Sequence, residues 1–166
     1  MRSLRILFFL MLFPFLSGCG VMRQTAQEQD EMVQAIRKPD ILLQITQIIP
    51  SGFPSRTSTG EFTLRLKGDV VNTRLPYAGR TSSLSFSADD ISIVFENEEV
   101  ELEKDFSDAD RKGEYRYSFK GGKGIDKWTV RLQLFDNGRA YVKCMSENGR
   151  NMEYVADITI PASEDE

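Results

Sequence analysis

The sequence predicts a mainly-β domain. It reads as an antiparallel meander of about eight or nine short strands, curled into a half-open barrel or a two-layer sandwich, with a short N-terminal helix. Three observations predict it. From Ile41 onward apolar residues recur at alternate positions, as in Phe62, Leu64 and Leu66, or Trp128, Val130, Leu132 and Leu134. Turn signals interrupt these runs, with Asp136-Asn137-Gly138 and Asn148-Gly149 the plainest. Helical spacing is confined to one stretch near the start. A long sheet with one apolar face curls or folds over to bury it, and periodicity does not choose between the two closures.

The elements follow in order. Thr25-Ala26-Gln27-Glu28 has the form of a capping box, Met32, Val33 and Ile36 recur at helical spacing, and Pro39 ends the run. This predicts an amphipathic helix over residues 25–37. Ile41, Leu43 and Ile45 begin a strand that reaches Pro50, and residues 50–60 are rich in Pro, Gly, Ser and Thr, which predicts an exposed loop. Phe62, Leu64 and Leu66 form the next strand, Lys67-Gly68-Asp69 turns, and Val70 opens another. Ile91, Ile93 and Phe95 alternate, Glu96-Asn97-Glu98 reads as a turn, and Val100 and Leu102 continue. Residues 105–113 read as a polar loop. Tyr115, Tyr117 and Phe119 share one strand face, Gly121-Gly122-Lys123-Gly124 is a connection, and Trp128 to Leu134 is the cleanest alternation. Ala140, Val142 and Cys144 return, and Tyr154, Ala156, Ile158 and Ile160 close the sheet.

A leader precedes all this. Arg2 and Arg5 flank the start of an uncharged apolar run, Ile6 to Leu16. As a helix it spans roughly 16 Å, about half of a bilayer core, which is too short to cross and suits a signal peptide. Leu16-Ser17-Gly18-Cys19 then has the form of a bacterial lipobox, cut before the cysteine that receives the acyl chains. A single chain binds membranes only reversibly, whereas several make attachment effectively permanent. Residues 1–18 are thus expected to be a removed signal, 19–24 a lipidated tether, 25–162 one β-rich domain, and 163–166 an acidic tail. Gly20, rather than Asp, follows the cysteine, which favours the outer membrane.

Composition narrows the chemistry. The 166 residues carry a formal charge of −4 and no histidine. Removing the leader takes away two arginines and no acid, so the mature domain is more acidic still. Without a basic stripe, nucleic acid is not an expected partner. With Cys19 committed to lipid, Cys144 stands alone, and no intramolecular disulfide is expected. Cys144 sits on an apolar alternation and reads as a buried thiol. A serine or cysteine nucleophile would lack its usual histidine base. No catalytic residue, metal site or cofactor is expected.

Several local constellations bear on chemistry. Asp108-Ala109-Asp110-Arg111-Lys112-Gly113 begins like a calcium loop, but Lys112 takes a ligand position and Phe119 stands where a bidentate acid is required. The glycines at 121, 122 and 124 lack the phosphate-loop pattern. Asp89-Asp90 and Glu98-Glu99 are adjacent on strands, so each pair points to opposite faces and makes no dyad. Leu75-Pro76-Tyr77-Ala78-Gly79-Arg80 is either a rigid corner or the lip of a pocket, with Tyr77 and Arg80 as an aromatic face and a cation. Tyr77, Arg80, Tyr115 and Tyr117 are the candidate contacts for a ligand or partner. A pocket lined by Tyr115, Tyr117 or Trp128 would favour a carrier of a small apolar ligand, whereas a filled interior with an exposed sheet edge would favour another envelope protein. The rival readings are a cell-envelope hydrolase and a purely structural accessory.

These residues resemble a known family. Leu64-Arg65-Leu66-Lys67-Gly68-Asp69-Val70-Val71, then Leu75-Pro76-Tyr77-Ala78-Gly79-Arg80, then Phe135-Asp136-Asn137-Gly138 and the polar stretch 146–151 are similar to Bacteroidota lipoproteins catalogued as domain of unknown function 4251. The resemblance covers about residues 30–160, and residues 82–110 depart from it most. It implies a β-rich lipoprotein facing the periplasm or the cell surface, and it carries no catalytic residues. Surface-exported lipoproteins of that phylum have acids soon after the cysteine. Here Glu28 is the first acid, so the resemblance implies the periplasmic face of the outer membrane.

Overall fold

Alternating side chains need a common interior, and the computed structural model shows how they obtain one. It describes residues 26–77, 92–122 and 127–161. The leader with its lipobox, Cys19, the tether, Asp89-Asp90, Arg80 and the acidic tail lie outside the described residues. The elements are α1 (Ala26–Arg37), β1 (Asp40–Pro50), β2 (Arg56–Thr57), β3 (Thr63–Lys67), β4 (Val70–Pro76), β5 (Ser92–Glu99), β6 (Glu103–Asp105), α2 (Ala109–Lys112), β7 (Glu114–Gly121), β8 (Trp128–Phe135), β9 (Arg139–Ser146) and β10 (Asn151–Thr159). No helix among the described residues is long and apolar enough to cross a membrane.

The sheet runs β5-β4-β3-β1-β10-β9-β8-β7-β6, and β2 pairs with β1 off this path. Every ladder is antiparallel. The first long strand pairs with the last, from Leu42 opposite Thr159 to Pro50 opposite Met152. The meander therefore closes on itself in chain order, and its two edges, β5 and β6, are neighbours in sequence. This is the half-open barrel, not the sandwich.

Side chains close the seam that backbone hydrogen bonds leave open. Phe95 of β5 meets Phe119 of β7 edge to face, with centroids 5.9 Å apart. The Gly122 amide donates to the Glu98 carboxylate at 2.9 Å. Gly121 lies directly beneath Phe95 and Glu98, where a Cβ would come within 2.5 Å of the Phe95 ring.

The interior is filled. Inward residues such as Ile41, Leu43, Leu64, Leu66, Val130, Leu132, Val142 and Ala156 are almost wholly buried. Two tyrosines complete it by satisfying carbonyls at opposite ends. Tyr154 donates to the Pro76 carbonyl at 2.8 Å. Tyr117 donates to the carbonyl of Ile36, the last buried residue of α1. Helix α1 covers that end by burying Met32 and Ile36, and Gln29 reaches Asp136 of the β8–β9 turn at 2.9 Å. Glu28 in its first turn and Arg37 in its last complement the helix dipole.

Three local expectations are corrected. The turn expected at Glu96-Asn97-Glu98 is a bulge within β5. Two residues there stand opposite one on β4, and Asn97 takes the extra step at φ 47°. Asparagine tolerates that conformation, and here its side-chain oxygen also accepts from Asn72 at 2.8 Å. Val100 and Leu102 do not extend a strand. The Val100 amide bonds to the Asp69 carbonyl at 2.9 Å, which turns the chain inward before β6. The expected polar loop at 105–113 contains the short helix α2, ended by Gly113 at φ 62°.

Candidate functional site

At the end opposite α1, three strand ends bring an aromatic pair and a cation together. Pro76 ends β4 and delivers Tyr77. Trp128 opens β8 opposite Gly121 and Ser146. The turn between β9 and β10 supplies Arg150. It is built by the Ser146 amide donating to the Arg150 carbonyl at 2.7 Å and the Gly149 amide to the Ser146 carbonyl at 3.0 Å, with Gly149 at φ 78°. The Arg150 guanidinium lies 5.5 Å from the Tyr77 ring centroid and 5.2 Å from that of Trp128. The two rings are 6.1 Å apart and tilted by 56°. Both contacts lie in the cation–π range.

An open recess of about 460 Å³ adjoins this cluster, lined by Ser51, Gly52, Phe53, Tyr77, Asn148 and Arg150 among others. Phe53 is 46 % exposed. Its amide donates to the Pro50 carbonyl at 3.3 Å, and Gly52 at φ 80° makes the tight return that projects it. Trp128 is buried beneath.

The sequence-derived candidates divide. Tyr77 belongs to the recess. Arg80 lies outside the described residues, and among the described residues the cation stacked on Tyr77 is Arg150, which sequence reasoning missed. Its one signal was its place directly after Asn148-Gly149, a turn that sets the direction of the next side chain. Tyr115 and Tyr117 are at the other end of the barrel. Tyr115 is six residues along β7 from Gly121, the partner of Trp128, or roughly 20 Å at strand rise. Both are buried against Phe106, with centroids 5.4 and 5.3 Å away. Arg37 of α1 stacks over Tyr115 at 5.4 Å. These tyrosines hold the helix on the barrel. Burial also pushes the Tyr117 hydroxyl up to about 12, although Arg37 opposes this, so it remains a donor.

Residues 23–158 match the family described as Domain of unknown function (DUF4251). The chain belongs to the DUF4251 family. Its fold is similar to the crystal structure of a DUF4251 family protein from Bacteroides eggerthii DSM 20697, with a TM-score of 0.57 at 13% identity, covering 81% of this chain and 89% of that one. No curated protein matches it.

Several acids of this DUF4251 domain have structural partners. Asp108, which opens the calcium-like segment, accepts from Arg111 at 2.7 Å, Lys112 at 3.3 Å and Arg116 at 3.0 Å. Arg116 also pairs with Asp105 and with buried Glu114. This web pins α2 to β7. Arg111 foremost, then Lys112 and Arg116, hold the Asp108 carboxyl at about 2, against a smaller opposing effect of desolvation. A folded value below the ordinary 3.8 means that the web's contribution is full above that value and is lost as pH falls through about 2. The difference in unfolding midpoint between the native chain and Asp108→Asn is therefore expected to shrink between about pH 4 and pH 2. Thermal melts across that window check it, and a constant difference would refute the assignment.

Cys144 lies inside the barrel with no exposed surface, and burial pushes its thiol up to about 12. Its reaction with a disulfide reagent at pH 8 is expected to require unfolding. Labelling of a Cys19→Ser chain, followed by mass with and without denaturant, tests this. Rapid labelling without denaturant would contradict the buried thiol.

Proposed function

We propose that this chain is a lipid-anchored, non-enzymatic binding module of the outer membrane, facing the periplasm, and that another envelope protein docks at the Tyr77 recess. The observation that carries the docking reading is Phe53 and Tyr77 beside Arg150 at one end of a filled barrel. Aromatic and arginine side chains next to a recess are the residue types on which protein-binding energy concentrates. The packed interior supports a protein over a small apolar ligand, because Tyr115, Tyr117 and Trp128 are buried among core side chains of the described residues.

The anchor fits this arrangement. Cys19 precedes α1 by seven residues, which reach at most about 25 Å. Acylation there would hold the helix-covered end near the bilayer and leave the recess pointing away from it. Two experiments test the proposal. Metabolic labelling with an alkyne fatty acid is expected to mark the native chain and not Cys19→Ser; an unmarked native chain would remove the anchor. A photo-crosslinking residue at position 53 in intact envelopes is expected to give a discrete adduct that Arg150→Ala abolishes, while the same probe at Lys67, on the helix end, gives none. Equal adducts from both positions, or none from either, would overturn the docking site. Loss of a central contact of this type costs about 2 kcal/mol or more, some thirtyfold in Kd.

A further inference from the structure

A second surface, independent of the recess, lies on the outer face of the barrel. Strands β6, β7, β8 and β9 line a groove of about 610 Å³, in which Arg131, Gln133, Tyr141 and Lys143 stand beside four further charged residues, the cations Lys104 and Arg116 and the acids Glu103 and Asp105. Arg131 and Lys143 are direct cross-strand partners. Like charges placed opposite each other on a sheet destabilise it. In a chain with net negative charge, this arrangement is not the one that stability alone would select.

Among the described residues, neighbouring acids pair only one member of this couple. Lys143 Nζ donates to Glu153 at 2.6 Å, on the side away from Arg131. On the other side of Arg131 stands Ser118, which donates its hydroxyl to Glu103 at 2.7 Å. Among the described residues no acid lies within ion-pair distance of the Arg131 guanidinium. Arg116, in the next row, is already surrounded by Asp105, Asp108 and Glu114. Polar and aromatic groups complete the groove. Tyr141 is 47 % exposed and meets Phe135 edge to face at 5.9 Å. Gln133 donates its amide nitrogen to Glu114 at 2.7 Å, which leaves its amide oxygen as an acceptor.

We propose that this groove binds an anionic saccharide. Its carboxylate or phosphate sits between Arg131 and Lys143 and relieves their repulsion. Its ring lies against Tyr141, and its hydroxyls meet Gln133. The anion supplies the charge that the sheet lacks, and the exposed phenol supplies the apolar contact that a bare inorganic ion would not use.

The test is calorimetric titration of the secreted Cys19→Ser chain at low salt with four probes: trigalacturonate, glucose 6-phosphate, neutral maltotriose and inorganic tripolyphosphate. At least one of the two anionic sugars is expected to bind at least tenfold more tightly than maltotriose and more tightly than tripolyphosphate, and the tighter of the two names the anion. Arg131→Gln is expected to weaken that binding at least tenfold while leaving the unfolding temperature unchanged or raised, because it removes a like-charge neighbour. Tyr141→Ala is expected to weaken sugar binding with the fold intact, and Arg150→Gln, at the recess, to leave it unchanged. Tripolyphosphate or maltotriose binding as tightly as the anionic sugars would overturn the proposal. So would the absence of binding, or a clear fall in unfolding temperature for Arg131→Gln.

Discussion

Replacing Tyr154 with alanine is expected to destabilise the domain by about 3–5 kcal/mol, a large part of the 5–15 kcal/mol typical of a whole domain. Tyr154 is fully buried on β10, and its ring fills the interior between β10 and the end of β4. Its hydroxyl satisfies the Pro76 carbonyl directly before Tyr77, so the same side chain supports both the core and the recess. Burial raises the hydroxyl far above its usual range, which keeps it protonated and donating at any working pH. Tyr154→Phe separates the two roles. It keeps the ring and leaves a carbonyl unpaired, at an expected cost of about 1–2 kcal/mol. Urea unfolding of the three chains measures both steps. An alanine variant within 1 kcal/mol of the native chain would mean that the barrel interior is not packed in this way.

The second large effect is at the seam. Gly121→Ala places a methyl 2.5 Å from the Phe95 ring and 2.8 Å from the Glu98 carboxylate. Neither group retreats freely, since Phe95 is packed on Phe119 and Glu98 accepts from the Gly122 amide. Overpacking of this kind costs about 1–3 kcal/mol. Because no ladder joins β5 to β7 among the described residues, the strain falls on a seam held by side-chain contacts. Phe95→Leu removes part of the obstacle, so the double variant is expected to be more stable than the sum of the single costs implies, by at least about 0.5 kcal/mol. Strict additivity in a double-mutant cycle would show that Gly121 and Phe95 are not in contact.

Much of this architecture was legible because strand faces are a local property. Leu64 and Leu66, Val130, Leu132 and Leu134, and Val142 and Cys144 alternate in sequence and are buried in the structure. The Asn148-Gly149 turn and the helix ended near Pro39 were readable for the same reason, since capping and turn chemistry act over a few residues. Misreadings arose where a local signal served a distant partner. Asn97 signals a turn in isolation, yet its left-handed backbone accommodates a bulge against β4. Tyr115 and Tyr117 showed an aromatic stripe, but only the docking of α1 and Phe106 decides that the stripe faces inward at the helix end.

The sequence by itself determined the fold class, the strand faces, the N-terminal helix and the family. Each follows from spacing over a few residues or from short motifs in order. Only the tertiary structure decided that β1 pairs with β10, that the sheet closes as a half-open barrel, and that Arg150, distant in sequence from Tyr77, stands over Tyr77 and Trp128. The same holds for Arg131 and Lys143, twelve positions apart and facing each other across a ladder. The physical reason is the range of the forces. A period of two tells which side of a strand is apolar, whereas the choice of neighbour is made by burying all the apolar faces at once, and that sum includes every strand of the chain.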